Sequence, residues 1–380
     1  MSDTSCRPDR WAWAEVDLRA LRHNVAELRR IAAPADVWAV VKADGYGHGA
    51  VAISRAALSA GAAGLAVALV EEGLALRDAG IDASILLLSQ QPEDQVPAVV
   101  SARLLPTVYT ERYAATLSAA APAGYPVHVK VDTGMQRVGV PHATAVEFVG
   151  RLATVAPNLT VAGVFTHLAC ADDPADPATP EQLDRFAAVL TELERHGLRP
   201  PVVHAANSGG LLAWPGSRRS LVRAGIAMYG ISPAHHVDAL AEALRPVMTL
   251  KARVSYVKRV AAGSRVSYGL RHRFDAATTV ATVPIGYADG VPRRLGTLPD
   301  RPGADVLIGG RRCPIVGVVT MDQLMVDAGD AGCEIGDEVV LLGRQGAESV
   351  TATDWADRLG TIPYEIVCGI SKRIARVTIS

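Results

Sequence analysis

Only five of the 38 basic residues are lysine: Lys42, Lys130, Lys251, Lys258 and Lys372. Where arginine supplies the surface charge, each remaining lysine is a candidate for amine chemistry, as a Schiff-base former or a proton carrier. Lys42 stands out because it closes an apolar run and is followed by Ala-Asp-Gly-Tyr46-Gly-His-Gly, a turn rich in glycine. Other groups able to do chemistry sit at similar junctions. Asp132-Thr-Gly-Met-Gln-Arg137 follows a second apolar run, which carries Lys130. Thr166-His167 ends a third run, Asn207-Ser208-Gly-Gly follows a fourth, and Arg223 and Gly225 lie in the fifth. Each has a bland reading on its own: a solvated lysine, a satisfied core histidine, a surface ion pair, an ordinary helix start. Their meaning depends on whether one fold brings them to one place.

The periodicity supplies that fold. From about residue 14 to 230, short apolar runs alternate with amphipathic stretches. The runs are 37–41, 64–68, 84–88, 104–108, 127–131, 160–166, 201–205 and 221–226. Helical patterns cover 18–32, 50–60, 70–79, 93–102, 111–120, 143–155, 180–197 and 208–213. Eight strands alternating with helices predict an α/β fold of the (β/α)8 TIM-barrel type, residues 14–240. Residues 241–380 read instead as a mostly antiparallel β domain, with strands at 248–260, 278–285, 305–308, 315–319, 324–326, 338–342 and 373–379. Within it, only 353–359 reads clearly as helix, capped by Thr351 or Thr353. The alternating segment 10–17 is a candidate strand of that second domain.

Barrel enzymes place reactive groups at the C-terminal ends of their strands and bind phosphate after strands seven and eight. By that rule Lys42, Arg137, His167 and Arg223 share one mouth with the small residues Asn207, Ser208 and Gly225. An amine, a cationic clamp and a phosphate cradle together suggest a Schiff-base cofactor such as pyridoxal 5'-phosphate. No GxGxxG opens a helix after a strand, which weakens a dinucleotide reading.

The segment Ala39-Val-Val-Lys42-Ala-Asp-Gly-Tyr46-Gly-His-Gly resembles the cofactor-lysine signature of the alanine racemase family. The likeness continues in order through Lys130-Val-Asp-Thr-Gly-Met-Gln-Arg137, Gly163-Val-Phe-Thr-His167, Ala206-Asn-Ser208, Leu221-Val-Arg223-Ala-Gly225-Ile226, Val266-Ser-Tyr268-Gly, Pro284-Ile-Gly-Tyr287-Ala-Asp-Gly, Met321-Asp-Gln and Tyr364-Glu. The resemblance implies a racemase that interconverts L- and D-alanine on bound pyridoxal phosphate. It would act as a homodimer with active sites shared across the interface, supplying D-alanine for peptidoglycan. Lys42 would hold the cofactor as an aldimine and serve one face of the substrate, and the partner subunit's Tyr268 the other. Tyr46, Asn207, Ser208, Gly225, Ile226 and Tyr364 would hold the cofactor, chiefly its phosphate. Arg223 would meet the pyridine nitrogen, with His167 linked to it. Arg137 and Met321 would contact substrate. Lys130 corresponds to a lysine that is carbamylated in some members, and Tyr287 and Tyr364 would narrow the entrance. One departure is Thr320, where cysteine is common.

Composition narrows the class. The net charge of −1 argues against nucleic-acid or membrane-surface partners. No apolar run is long enough to span a bilayer, and the polar first ten residues lack a signal-peptide core, so a cytoplasmic enzyme is expected. Five scattered cysteines (6, 170, 313, 333 and 368) suggest neither a disulfide framework nor a metal site. A decarboxylase on the same plan would offer a carboxylate to the pyridine nitrogen, where Arg223 stands. A non-catalytic pyridoxal-phosphate carrier would lack the β domain. A broad-specificity racemase, the nearest enzymatic alternative, is often exported.

Overall fold

In the computed structural model, which describes residues 10–380, the alternating runs form eight parallel strands. These are Asp36–Val40, Gly64–Val67, Ile85–Leu87, Thr107–Val108, Tyr125–Asp132, Leu159–Phe165, Val202–His204 and Leu221–Ala224. The eighth strand pairs with the first, followed by the second and third, and the fourth to seventh form another arc. Leu87 N–H donates to Leu105 C=O (2.9 Å) and Leu105 N–H to Ile85 C=O (2.8 Å), which closes one seam. Ser220 N–H to Val203 C=O (2.9 Å) and Arg223 N–H to Ala206 C=O (3.0 Å) close the other. The expected barrel is present. Most residues of its strands are buried, so they read as continuous apolar runs rather than alternating ones.

Several element bounds differ from expectation for local reasons. The run 104–108 yields only Thr107–Val108, because Arg103 takes a positive φ (50°) and Pro106 has no N–H to offer the ladder. The strand expected over 221–226 ends at Ala224, where Gly225 turns the chain into a short 3-10 helix, Ile226–Tyr229. The helix Leu18–Ala32 has the expected bounds.

Residues 21–45 and 50–245 cluster as one compact unit, and residues 10–20, 46–49 and 246–380 as a second. The second holds a ten-stranded sheet, antiparallel except where Ala12–Asp17 runs parallel to Ala375–Ile379. The strand read as 248–260 is two strands. Met248–Arg253 lies between Ala12–Asp17 and Glu338–Gln345, whereas Tyr256–Val260 pairs with Thr278–Val283. Alternation alone cannot register a change of pairing partner. Gly309 and Gly310 (φ 58° and 74°) make the two-residue turn that pairs Ile308 with Arg311, a conformation that favours glycine at both positions. The strand read at 315–319 is Arg311–Val316, the turn's other arm. Helix Ala352–Leu359 is capped by Thr351, whose Oγ1 accepts Asp354 N–H at 3.0 Å. A second helix, Pro363–Gly369, was not expected, and it carries Tyr364. Cys6 lies outside the described residues, and Cys170, Cys313, Cys333 and Cys368 form no disulfide. Among the described residues no helix is long and apolar enough to cross a membrane.

Candidate active site

The first barrel strand ends as Val41 N–H donates to Ala66 C=O (2.9 Å), and the next residue is Lys42. The chain then enters a left-handed turn. Ala43, Asp44, Gly45 and Tyr46 have φ of 52°, 53°, 62° and 53°. Three of the four carry a Cβ, and the left-handed state costs each of those about 1–2 kcal/mol. Bonds on several sides offset that strain. Gly45 N–H donates to Val41 C=O (2.8 Å), Asp44 Oδ1 accepts Ala50 N–H (2.8 Å), and Ala43 N–H donates to Glu72 Oε1 (2.6 Å). Sequence reasoning missed Glu72, which looked like any glutamate in the first turn of a helix.

Lys42 belongs to a cluster of cations. Lys130, only 5% exposed, sits on the fifth strand with its Nζ 5.6 Å from the centre of the Phe165 ring. Burial pushes its amine down to about 8, helped by Arg137, Arg223 and Lys42 and opposed by Asp132. Arg137 is exposed beyond the end of that strand. Arg223 is 2% exposed on the eighth strand, its guanidinium carbon 5.3 Å from the centre of the same ring. Burial lowers Arg223 to about 9, so it remains charged at neutral pH.

Arg223 organises the barrel interior. Its Nη1 donates to His204 Nδ1 (2.7 Å), and its Nη2 faces Thr166 C=O (2.9 Å), Ala205 C=O (2.9 Å) and His167 Nδ1 (3.2 Å). Arginine only donates, so both Nδ1 atoms accept and each imidazole carries its proton on Nε2. His204 Nε2–H then donates to His128 Nδ1 at 2.9 Å. All three imidazoles stay neutral. Burial, with Arg223 next, holds His167 and His204 well below the ordinary histidine range and His128 at about 4. Neither His204 nor His128 stood out in the sequence, because each is one polar residue inside a strand. Gly163 makes room for His128: a Cβ there would lie 2.6 Å from the ring.

At the end of strands seven and eight, Asn207 caps helix Ser208–Ala213. Its Oδ1 accepts Gly210 N–H (2.9 Å) and its Nδ2 donates to Leu168 C=O (3.1 Å). The Asn207 side chain is thereby committed to shaping the turn. Ser208 Oγ accepts the N–H groups of Gly225 (3.0 Å) and Ala227 (3.3 Å), which fixes Gly225 and Ile226 beside it.

The remaining expected residues lie in the second unit. The rings of Tyr46 and Tyr364 are 6.1 Å apart. Tyr268 is 72% exposed on a turn where Ser267, Gly269 and Leu270 all have positive φ. Ser267 Oγ donates to Val318 C=O at 2.6 Å. Two residues on, Tyr287 N–H donates to Thr320 C=O and Ala288 N–H to Met321 C=O, both at 3.0 Å. The structure therefore brings Tyr268, Tyr287 and Met321 onto loops braced by the single segment 317–321. Thr320 turns its hydroxyl into its own loop, donating to Gln323 C=O (2.8 Å).

These residues fit pyridoxal phosphate. The charged groups that act on Lys130 are three cations, Lys42, Arg137 and Arg223, and one carboxylate, Asp132, so this part of the mouth favours an anionic occupant. Arg223 Nε–H meets no acceptor among the described residues, a donor suited to a ring nitrogen.

Comparison with known proteins gives the same direction. Residues 16–233 match the family model for the alanine racemase N-terminal domain, and residues 247–378 match that for the C-terminal domain. The chain is 48% identical to an alanine racemase of Symbiobacterium thermophilum, covering 96% of each chain. It is 43% identical to one of Nostoc, covering 96% of this chain and 95% of that one. The crystal structure of alanine racemase from Bacillus anthracis with bound L-Ala-P superposes with a TM-score of 0.91 at 36% identity, covering 99% of this chain and 96% of that one. The enzyme from Streptomyces lavendulae, a D-cycloserine producer, gives 0.92 at 39% identity, covering 98% of each. On matches that run through both domains, the chain belongs to the alanine racemase family.

Proposed function

We propose that this racemase, an isomerase, interconverts L-alanine and D-alanine in the cytoplasm as a homodimer and supplies D-alanine for peptidoglycan synthesis. The observation that carries this reading is the convergence of Lys42, Lys130, Arg137 and Arg223 at one barrel mouth, with Arg223 set as a fixed donor. Pyridoxal phosphate, when bound, supplies the electron sink that acidifies the Cα–H of an amino acid. Lys42 Nζ would hold the cofactor covalently and would move the Cα proton on one face of the substrate. Tyr268 Oη, from the partner subunit, would move it on the other. Ser208, Gly225, Ile226, Tyr46 and Tyr364 hold the phosphate, and Asn207 shapes the cradle.

Arg223 would donate to the pyridine nitrogen and leave it unprotonated, because a guanidinium donates without giving up its proton, which would moderate the sink and disfavour transamination. His167, bonded to Arg223 through its Nδ1, would tune the partner subunit's Tyr268. Arg137 meets the substrate carboxylate and Met321 its side-chain region, while Tyr287 and Tyr364 narrow the entrance. Lys130, with its lowered amine pKa, is suited to carbamylation, which would turn a fourth cation into an anion that orients Arg137.

The test is polarimetric assay of the purified, cofactor-loaded protein against a panel of L-amino acids, with borohydride reduction and peptide mapping alongside. Racemisation led by alanine and a label on Lys42 are expected. A label on Lys130 or Lys251, or no label, would remove the assignment of Lys42, and equal rates across the panel would remove the substrate.

A further inference from the structure

Glu72 is the third residue of helix Val70–Asp78, and one of its oxygens does what a glutamate there often does. Oε2 accepts the N–H groups of Ala68 (2.7 Å) and Leu69 (3.1 Å), serving the helix start. Were that all, Glu72 would be a cap. The other oxygen leaves the helix: Oε1 accepts Ala43 N–H at 2.6 Å, from the residue that directly follows Lys42. Ala43 is also where the left-handed run begins. Such a run persists only where its surroundings over-determine it. Of its braces, the Gly45–Val41 bond lies within the turn and the Asp44–Ala50 bond ties it to the helix that follows. Glu72 alone of these reaches across to another strand end, joining the turn to the loop that leaves the second strand, Gly64–Val67.

We propose that Glu72 is a positioning residue for Lys42, its carboxylate fixing the backbone from which the catalytic amine extends; this rests on the assignment of Lys42 above. The leverage is geometric. The amine of an extended lysine stands about 6 Å from its Cα, so a backbone rotation of roughly 20° displaces it by on the order of 2 Å, and a 1 Å misplacement can cost ~10²-fold in rate. The bond is also chemically particular. A carboxylate accepts on both oxygens, whereas an amide of the same size accepts on one and would set its NH2 against an N–H on the other.

The experiment compares holoenzyme carrying Glu72→Gln, Glu72→Ala or, as a control, the neighbouring Glu71→Gln. The readouts are amide hydrogen exchange at Ala43, the pH profile of the bound cofactor's visible absorbance, and kcat and KM for alanine. Both Glu72 variants should speed Ala43 exchange at least 10-fold and move the absorbance profile. They should lower kcat by roughly 10- to 100-fold while KM changes less than about 3-fold. The control should do none of this. If Glu72 is only a helix cap, thermal stability falls while Ala43 exchange, the absorbance profile and kcat hold; that result overturns the proposal, as does a Glu72→Gln variant that behaves as wild type. Wild-type protein labelled elsewhere than Lys42 would defeat the functional reading itself, and with it this role, before any variant was compared.

Discussion

Arg10 and Asp289, 279 residues apart in sequence, meet as a two-pronged ion pair with both N···O distances at 2.6 Å. The Asp289 side chain is fully buried and carries more than this pair. Its Oδ2 accepts Gly286 N–H (3.0 Å), Arg373 Nε lies 3.3 Å from its Oδ1, and its own C=O accepts Ser371 N–H (3.0 Å). The turn bearing Tyr287 is thus bolted from beneath, and the same turn holds the backbone of Thr320 and Met321. Two expected substrate-side residues depend on one carboxylate that touches neither.

The Asp289→Ala variant should therefore lose about 3 kcal/mol of stability, at the low end for breaking a buried pair because Arg10 can turn towards water. Urea denaturation measures that loss. KM for alanine should rise with it, as Tyr287 and Met321 lose their common support. A stability loss under about 1 kcal/mol would show that Arg373 and the backbone bonds hold the turn unaided.

The buried histidines set a pH dependence. His128 titrates near 4 in the folded chain against 6.5 ordinarily, because burial disfavours its charged form and Arg223 opposes it further. Above about pH 6.5 neither the folded nor the unfolded state protonates it. Between 6.5 and 4 only the unfolded state does, so stability falls as the pH drops through that window. For this one residue the full loss is about 3 kcal/mol. A His128→Gln variant, which keeps an acceptor for His204, should show a correspondingly shallower decline between pH 6.5 and 4 by chemical denaturation. Parallel curves would mean that His128 is charged in the folded protein.

The barrel was legible in the sequence because most residues of the parallel strands are buried, leaving apolar runs that helices separate at regular spacing. Strand ends, and so Lys42, Arg137, His167 and Arg223, followed from that. The left-handed turn after Lys42 was not legible, since Ala43, Asp44 and Tyr46 give no sign of a conformation usually left to glycine. Helix Pro363–Gly369 escaped because seven residues hold too few turns for a periodic pattern; Pro363 at its first position was the one available signal. Glu72, Asp289 and His204 share another reason. Each acts through partners far away in sequence, and periodicity carries no information about those.

If the active sites are shared across a dimer, inactive Lys42→Ala and Tyr268→Phe subunits should complement each other. A mixed dimer then has one site with both groups intact, and a statistical mixture in which half the dimers are mixed should regain about a quarter of wild-type activity, the arithmetic of two sites per dimer. The assay is racemisation after unfolding and refolding the two variants together. No recovery, with subunit exchange shown by mass spectrometry, would place Lys42 and Tyr268 in the same subunit's site.

The sharpest consequence of the two-face reading concerns direction. On that reading Lys42 and Tyr268 would stand on opposite faces of the substrate carbon, so each would be tied to removing the proton from one enantiomer. The likeness to the alanine racemase family implies D-alanine for Lys42 and L-alanine for Tyr268. Taking away the tyrosine hydroxyl leaves the lysine face competent, because neither the cofactor linkage nor the cations Arg137 and Arg223 depend on it. Tyr268 also stands 72% exposed on its turn, so losing one oxygen atom leaves no buried cavity to disturb the fold. A Tyr268→Phe variant should still exchange the Cα hydrogen of D-alanine with heavy water, while exchange from L-alanine and net racemisation fall by on the order of 10²-fold or more. Proton NMR of each enantiomer at matched cofactor occupancy reads both rates. Equal loss from the two enantiomers would make Tyr268 a general support of the site, and survival of L-alanine exchange alone would reverse the faces.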